Sequence, residues 1–175
     1  SSYVGYTATP YANVFIEPNT KEDMENEDLF PKDYIYVLQP PSNYIGAREI
    51  YSEEGQYKHM YRVIDDFEEF LPLKHKKDYE LPLDIPLSLK RAILSFLIAN
   101  AIRDLRGDST THRSMLINVS RFICIQNDLK DLVKDYFLLV RDKIQHYLLN
   151  PDYSKYPLLN LLEDVYNEEF KNVGS

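Results

Sequence analysis

Ser120 and Arg121 bring together a hydroxyl and a guanidinium where a change of residue pattern marks the start of a helix. Free backbone amides at a helix start, joined by those two side chains, have the chemistry of a phosphate holder. His112, Arg113 and Asn118 lie just upstream and extend the polar, basic character of that approach. A second candidate is Thr7-Ala8-Thr9-Pro10, where Thr7 and Thr9 place hydroxyls at the end of an expected strand. Hydroxyls so placed can hydrogen-bond acidic side chains or phosphate oxygens. Among acids, Asp65, Asp66, Glu68 and Glu69 fit either a hard cation or, as the plainer reading, a solvated turn or helix start. Glu80, Asp84 and Lys90 form a sparse version of the acid-plus-lysine array that metal-dependent nucleases use. No glycine-rich phosphate loop ending in Lys-Ser/Thr and no Gly-x-Ser-x-Gly elbow occurs. His59, His75, His112 and His146 lack zinc-ligand spacing, and Cys124 falls within helical periodicity, where it reads as a buried structural cysteine.

The elements that must position these residues follow from hydropathy patterning. Met115, Leu116, Ile117, Asn118 and Val119 form a short apolar run with polar flanks, which predicts a buried strand. Ser120 then stands as the expected N-cap. From Phe122 the apolar spacing becomes helical, through Ile125, Leu129, Leu132, Val133, Tyr136, Val140, Ile144, Tyr147 and Leu148, which predicts a helix over 121–149. Asp84 and Pro86 open another helix, 86–106, with Gly107 as its terminating residue. A last helix spans 157–171, with Leu158, Leu161, Leu162, Val165, Tyr166 and Phe170 on one side. In the first half, 3–7 and 34–38 have strand composition, and 47–81 suggests short strands or a hairpin around Glu54-Gly55. Lys74, His75, Lys76 and Lys77 read as a charged loop. A strand feeding a long helix through a polar elbow is half of a βαβ unit, so the expected class is α/β with few parallel strands and a mostly helical second half.

The net charge of -8 is not that of a dedicated nucleic-acid binder. It is unevenly spread, however. Segment 17–33 carries Glu17, Glu22, Asp23, Glu25, Glu27, Asp28 and Asp33, whereas 86–106 sets Lys90, Arg91, Arg103 and Arg106 against Asp104 alone. The latter predicts a local basic face within an acidic chain. One cysteine excludes an internal disulfide and fits a reducing cytoplasm. No apolar run is long enough to span a bilayer as a helix, so no membrane association is expected. The opening residues already look like the middle of a domain, which reads as an excerpt from a longer protein.

Three blocks carry a resemblance. Gly5-Tyr6-Thr7-Ala8-Thr9-Pro10-Tyr11-Ala12-Asn13 resembles the third motif of superfamily-two helicases. Leu105-Arg106-Gly107, His112-Arg113-Ser114-Met115-Leu116-Ile117, Val119-Ser120-Arg121 and Gln126 resemble the Z1 type of endonuclease domain, as does Pro40-Pro41-Ser42-Asn43-Tyr44-Ile45-Gly46. The resemblance implies fusion to a helicase-like ATPase in bacterial restriction or phage-defence systems. It implies partial RecA-like lobes, with 1–83 closing a first lobe and its connecting region and 84–175 forming a helical connector and the start of a second. Thr7 and Thr9 would then couple ATP turnover to DNA movement. His112, Arg113, Asn118, Ser120 and Arg121 would touch the nucleic-acid backbone. ATP and Mg2+ would bind elsewhere in the parent protein and not to this chain, which holds no complete catalytic site. DNA, the remainder of the ATPase and a nuclease or methyltransferase are the implied partners. Two other readings stand beside this one. The acidic balance and the amphipathic helices 121–149 and 157–171 suit a non-catalytic helical interaction module, and Asp65, Asp66, Glu80 and Asp84 suit a metal-dependent nuclease.

Overall fold

A computed structural model describes residues 5–8, 35–149 and 156–171. The chain divides into two compact units, 1–61 and 62–175. Within the first, a short helix α1 (Ala47–Tyr51) turns directly into a single 3-10 turn at Lys58–Met60. The reversal is held by the Tyr57 amide on the Glu49 carbonyl at 2.8 Å and by the Ser52 hydroxyl on the Arg48 carbonyl at 2.6 Å. Tyr51 and Tyr61 meet edge to face, with centroids 5.4 Å apart. Gly55 is required by this close turn, since a Cβ there would lie 2.5 Å from the Glu49 carbonyl oxygen. In place of the expected hairpin, Glu54-Gly55 lies in a turn between α1 and the 3-10 turn.

The second unit is built from α2 (Leu87–Leu105), α3 (Ile123–Leu149) and α4 (Pro157–Glu169). All three stand within two residues of their expected bounds. On α3 the buried residues are Ile125, Leu129, Tyr136 and Val140, one stripe at helical spacing, with Phe122, Leu132, Val133 and Ile144 partly buried beside it. Helix α2 contributes Ile93 and Leu94, flanked by Leu89, Leu97 and Ile98, and is apolar around much of its girth. Helix α4 packs chiefly on α2 and inserts Val165. Arg62–Glu169 at 2.8 Å and the Arg91–Glu168 pair tie its far end. Phe70, Leu71 and Ile85, from the loop that precedes α2, complete the core.

Both ends of α2 are closed by hydrogen bonds, one to a side chain and one set within the backbone. The Asp66 carboxylate accepts the Ser88 amide at 2.8 Å, so the cap comes from 22 positions upstream, and Asp84 instead pairs with Lys90 at 2.6 Å. At the other end Gly107 adopts φ +84, and the amides of Gly107 and Asp108 bond the carbonyls of Asp104 and Arg103 at 3.0 and 2.9 Å. That is the paired pattern of a Schellman terminus.

The expected α/β class is overturned: the protein is helical, and among the described residues there is no strand and no sheet, hence no RecA-like lobe. Residues 115–119 form neither helix nor strand, and among the described residues no strand stands to pair with them. An unpaired segment cannot satisfy ladder bonds. It contributes Ile117 to the core, while Leu116 is 89% exposed. The composition favoured a strand and the topology supplies no partner. Residues 35–38 are exposed and in no strand, and 5–7 are not in a strand either. Tyr3, Val4, Tyr34 and segment 17–33 lie outside the described residues.

Candidate functional site

The loop between Phe67 and Tyr79 and the elbow before α3 meet to form an open groove. Phe70 and Leu71 root the loop in the core, and backbone turns at Phe67–Leu71 and Pro72–His75 set its course. Three contacts stitch it to the elbow. His75 Nε2 lies 2.8 Å from the Ser120 hydroxyl, the His75 ring meets Phe122 edge to face at 5.7 Å, and the Cys124 thiol donates to the Lys77 carbonyl at 2.9 Å. His75 Nδ1 is 2.7 Å from the Pro72 carbonyl. A carbonyl can only accept, so Nδ1 carries the proton and Nε2 of the neutral ring is left as an acceptor for the Ser120 O–H.

Ser120 is the one buried polar side chain among the described residues, at 7% exposure. It does not cap α3 in the expected sense, because the first helical bond runs from the Gln126 amide to the Phe122 carbonyl. Its hydroxyl instead accepts the Phe122 amide at 3.1 Å, two residues on, and its carbonyl accepts the Gln126 side-chain amide. Arg121 stacks over the Phe122 ring, Cζ at 4.9 Å from the centroid.

These residues line a groove of about 670 Å3. Leu73, Lys74, His75 and Lys76 form one wall; Asn118, Val119, Ser120 and Arg121 form the other. Lys74, Lys76 and Arg121 have no acidic partner among the described residues. The groove is thus a cationic recess in an acidic protein.

Of the residues singled out in the sequence, Asn118, Ser120 and Arg121 come together here. Arg113 sits at the end of α2, where it bonds the Asn100 carbonyl at 3.1 Å, Asp104 at 2.6 Å and the Asp108 carbonyl. The Arg113 bond, above all, holds the Asp104 carboxyl below its ordinary range, and the same contact raises the Arg113 guanidinium. Asp108 is depressed by the Thr111 hydroxyl first and then by Arg103, which reaches it at 2.8 Å. His112 is exposed on the adjoining loop and does not line the groove. Thr7 is exposed and belongs to the other compact unit, and Thr9 lies outside the described residues.

The basic face expected over 86–106 is largely neutralised, because Lys90, Arg91 and Arg103 take acids from Asp84, Glu168 and Asp108. Cys124 is exposed and not buried as expected, since its helical position faces away from the α3 stripe. Asp66, as cap of α2, is depressed chiefly by its bond with Ser88. Among the described residues no three of His, Cys, Asp and Glu converge as a metal-ligating group. Lys74, His75 and Lys76 are the groove residues that sequence patterning left in a charged loop. Their signal was the basic run itself; the elbow it docks on lies 45 residues away.

No described helix is long and apolar enough to cross a membrane. No curated protein matches the chain, and no solved structure does. The family model that matches is that of the Z1 domain, over residues 88–174, which takes in α2, α3 and α4 and the elbow wall of the groove: a Z1 domain is present in this chain.

Proposed function

We propose that the chain is the nucleic-acid-contacting part of a DNA-dependent, helicase-like ATPase, with the groove of Lys74, Lys76 and Arg121 holding the phosphate backbone. The observation that carries the reading is the set of three cations without acidic partners beside the buried Ser120, in a protein of net charge -8. Fixed cations next to hydroxyl and amide donors suit phosphate oxygens. The likeness of Thr7-Ala8-Thr9-Pro10 to a helicase coupling motif supports the ATPase part. On this reading ATP and Mg2+ are bound by other parts of the parent protein, in a cytoplasmic bacterial restriction or phage-defence setting with a nuclease or methyltransferase partner. The endonuclease character linked to Z1 domains belongs to the same reading.

Binding of a fluorescent duplex by the chain, followed against salt, tests it. Three phosphate contacts predict log K falling with log salt at a slope of about -3. Salt-independent binding, or none at low salt, removes the reading. In the ATPase, Thr7→Ala with Thr9→Ala should abolish stimulation by DNA and leave nucleotide binding intact. Unchanged stimulation would remove the role given to those threonines.

A second reading has its own observation. Ile123, Phe137, Leu139, Leu148 and Leu149 of α3 are exposed apolar residues, which suits a helical interaction module that docks another protein. Complex formation unaffected by salt would favour it.

A further inference from the structure

We propose that Ser120 and His75 are a nucleophile and its base, set in the groove to cleave phosphodiesters through a covalent phosphoserine. The inference rests on the reading of the groove as a phosphate-contacting face and goes beyond it, from binding to turnover.

Three observations carry it. The first is distance: His75 Nε2 and Ser120 Oγ are 2.8 Å apart, within the reach that activation of a hydroxyl requires. The second is tautomer. The Pro72 carbonyl at 2.7 Å fixes the proton on Nδ1, so Nε2 is free to accept, and the imidazole cannot swing without losing that bond. A carbonyl stands where hydrolytic triads commonly place a carboxylate; it orients the ring. The third is placement. Both residues line the groove, Ser120 with 7% of its surface exposed, and Lys74, Lys76 and Arg121 line the same groove. A hydrogen bond serving only to fasten the loop to the elbow has no need of that opening or of unneutralised cations around it. The Phe122 amide, 3.1 Å from Oγ, steadies the negative charge that grows there as the proton departs.

The step balances without a redox partner. Ser120 Oγ forms a bond to phosphorus while its proton passes to His75 Nε2. The bond from phosphorus to one ester oxygen breaks, and that oxygen leaves as an alcohol with the proton from Nε2. Water then gives a proton to Nε2 and bonds to phosphorus, the serine oxygen departs, and Nε2 returns its proton. The sum is a phosphodiester and water giving a phosphomonoester and an alcohol.

The test exposes the whole chain to an alkyl fluorophosphonate, whose reactive phosphorus a primed serine captures with loss of fluoride, and locates the adduct by peptide mass spectrometry. In parallel, bis(4-nitrophenyl) phosphate is offered in the presence of EDTA, which silences contaminating metal-dependent nucleases. The expected result is an adduct on Ser120 that forms at least tenfold faster than on Ser88 or Ser114. It is absent in Ser120→Ala and slowed at least tenfold in His75→Gln, with release of nitrophenolate lost in both. No preferential adduct on wild-type Ser120 overturns the proposal, whatever the variants do. An adduct whose rate is unchanged in a folded His75→Gln protein, checked by circular dichroism, overturns the role of the base and with it the pair. Salt-dependent duplex binding that persists without labelling removes the pair and leaves the binding reading standing. Labelling without duplex binding does the reverse, and shows that the anionic diester is not DNA.

Discussion

At the C-terminal end of α2, Arg103 and Arg113 each answer an acid: Arg103 binds Asp108, and Arg113 binds Asp104 and the carbonyls of Asn100 and Asp108. At the groove, Lys74, Lys76 and Arg121 are just as charged, yet no described acid meets them. Positive residues in the same compact unit thus have two employments. A guanidinium in a bidentate or multiply bonded setting is a structural tie. Cations left bare beside a recess cost self-repulsion, and a polyanion relieves it. Counting charges along the chain ranks the α2 segment as the basic one; counting unneutralised charges in space ranks the groove first.

That comparison can be broken experimentally. The largest effect belongs to Lys74→Glu, Lys76→Glu and Arg121→Glu together, which should weaken duplex binding about a hundredfold at low salt and flatten the salt slope toward zero. Fluorescence anisotropy reads both. If Arg113→Gln weakens binding as much while the protein stays folded, the division into ties and contacts is wrong. The expected result for Arg113→Gln is a lower melting temperature with duplex affinity nearly unchanged. Next in size is Gly107→Ala. An alanine at φ +84 is strained, so denaturant unfolding should show a loss of about 1 kcal/mol, again without effect on binding.

The smallest effect is with pH. Asp104 and Asp108 have carboxyls depressed below their unfolded values. A depressed acid adds stability above its unfolded pKa and loses that stability as pH falls through its folded one. Melting temperature should therefore be flat with respect to these groups above about pH 5 and decline below about pH 4. In Asp104→Asn with Asp108→Asn the decline should shrink. An equal decline in that double variant would show that other acids carry it.

Helices were legible in the sequence because their signals are local. The stripe from Ile125 to Val140 declares its own period, Gly107 its own turn, and Pro157 its own start. The sheet was misread because a strand is not a local object. Met115 to Val119 has a strand's composition, but whether it pairs depends on chain elsewhere, and among the described residues none pairs with it. The site was half legible for the same reason. Asn118, Ser120 and Arg121 announce themselves beside a helix start, whereas Lys74, His75 and Lys76 join them only through tertiary folding. The cap of α2 was missed likewise: Asp84 is the near candidate, and Asp66 is the residue that closes the helix.

That distant cap bears on where the folding unit begins. The family match opens at Ser88, the very residue whose amide Asp66 receives. A polypeptide cut to 88–174 would start with a frayed first turn. It would also lack Phe70, Leu71 and Ile85 from its interior and one entire wall of the groove. The stretch matched by the family model and the compact unit are thus not the same length. The second reaches back to Arg62, where the compact unit starts. Expression of 62–175 should give a cooperative melt, and 88–174 a broad and shallow one.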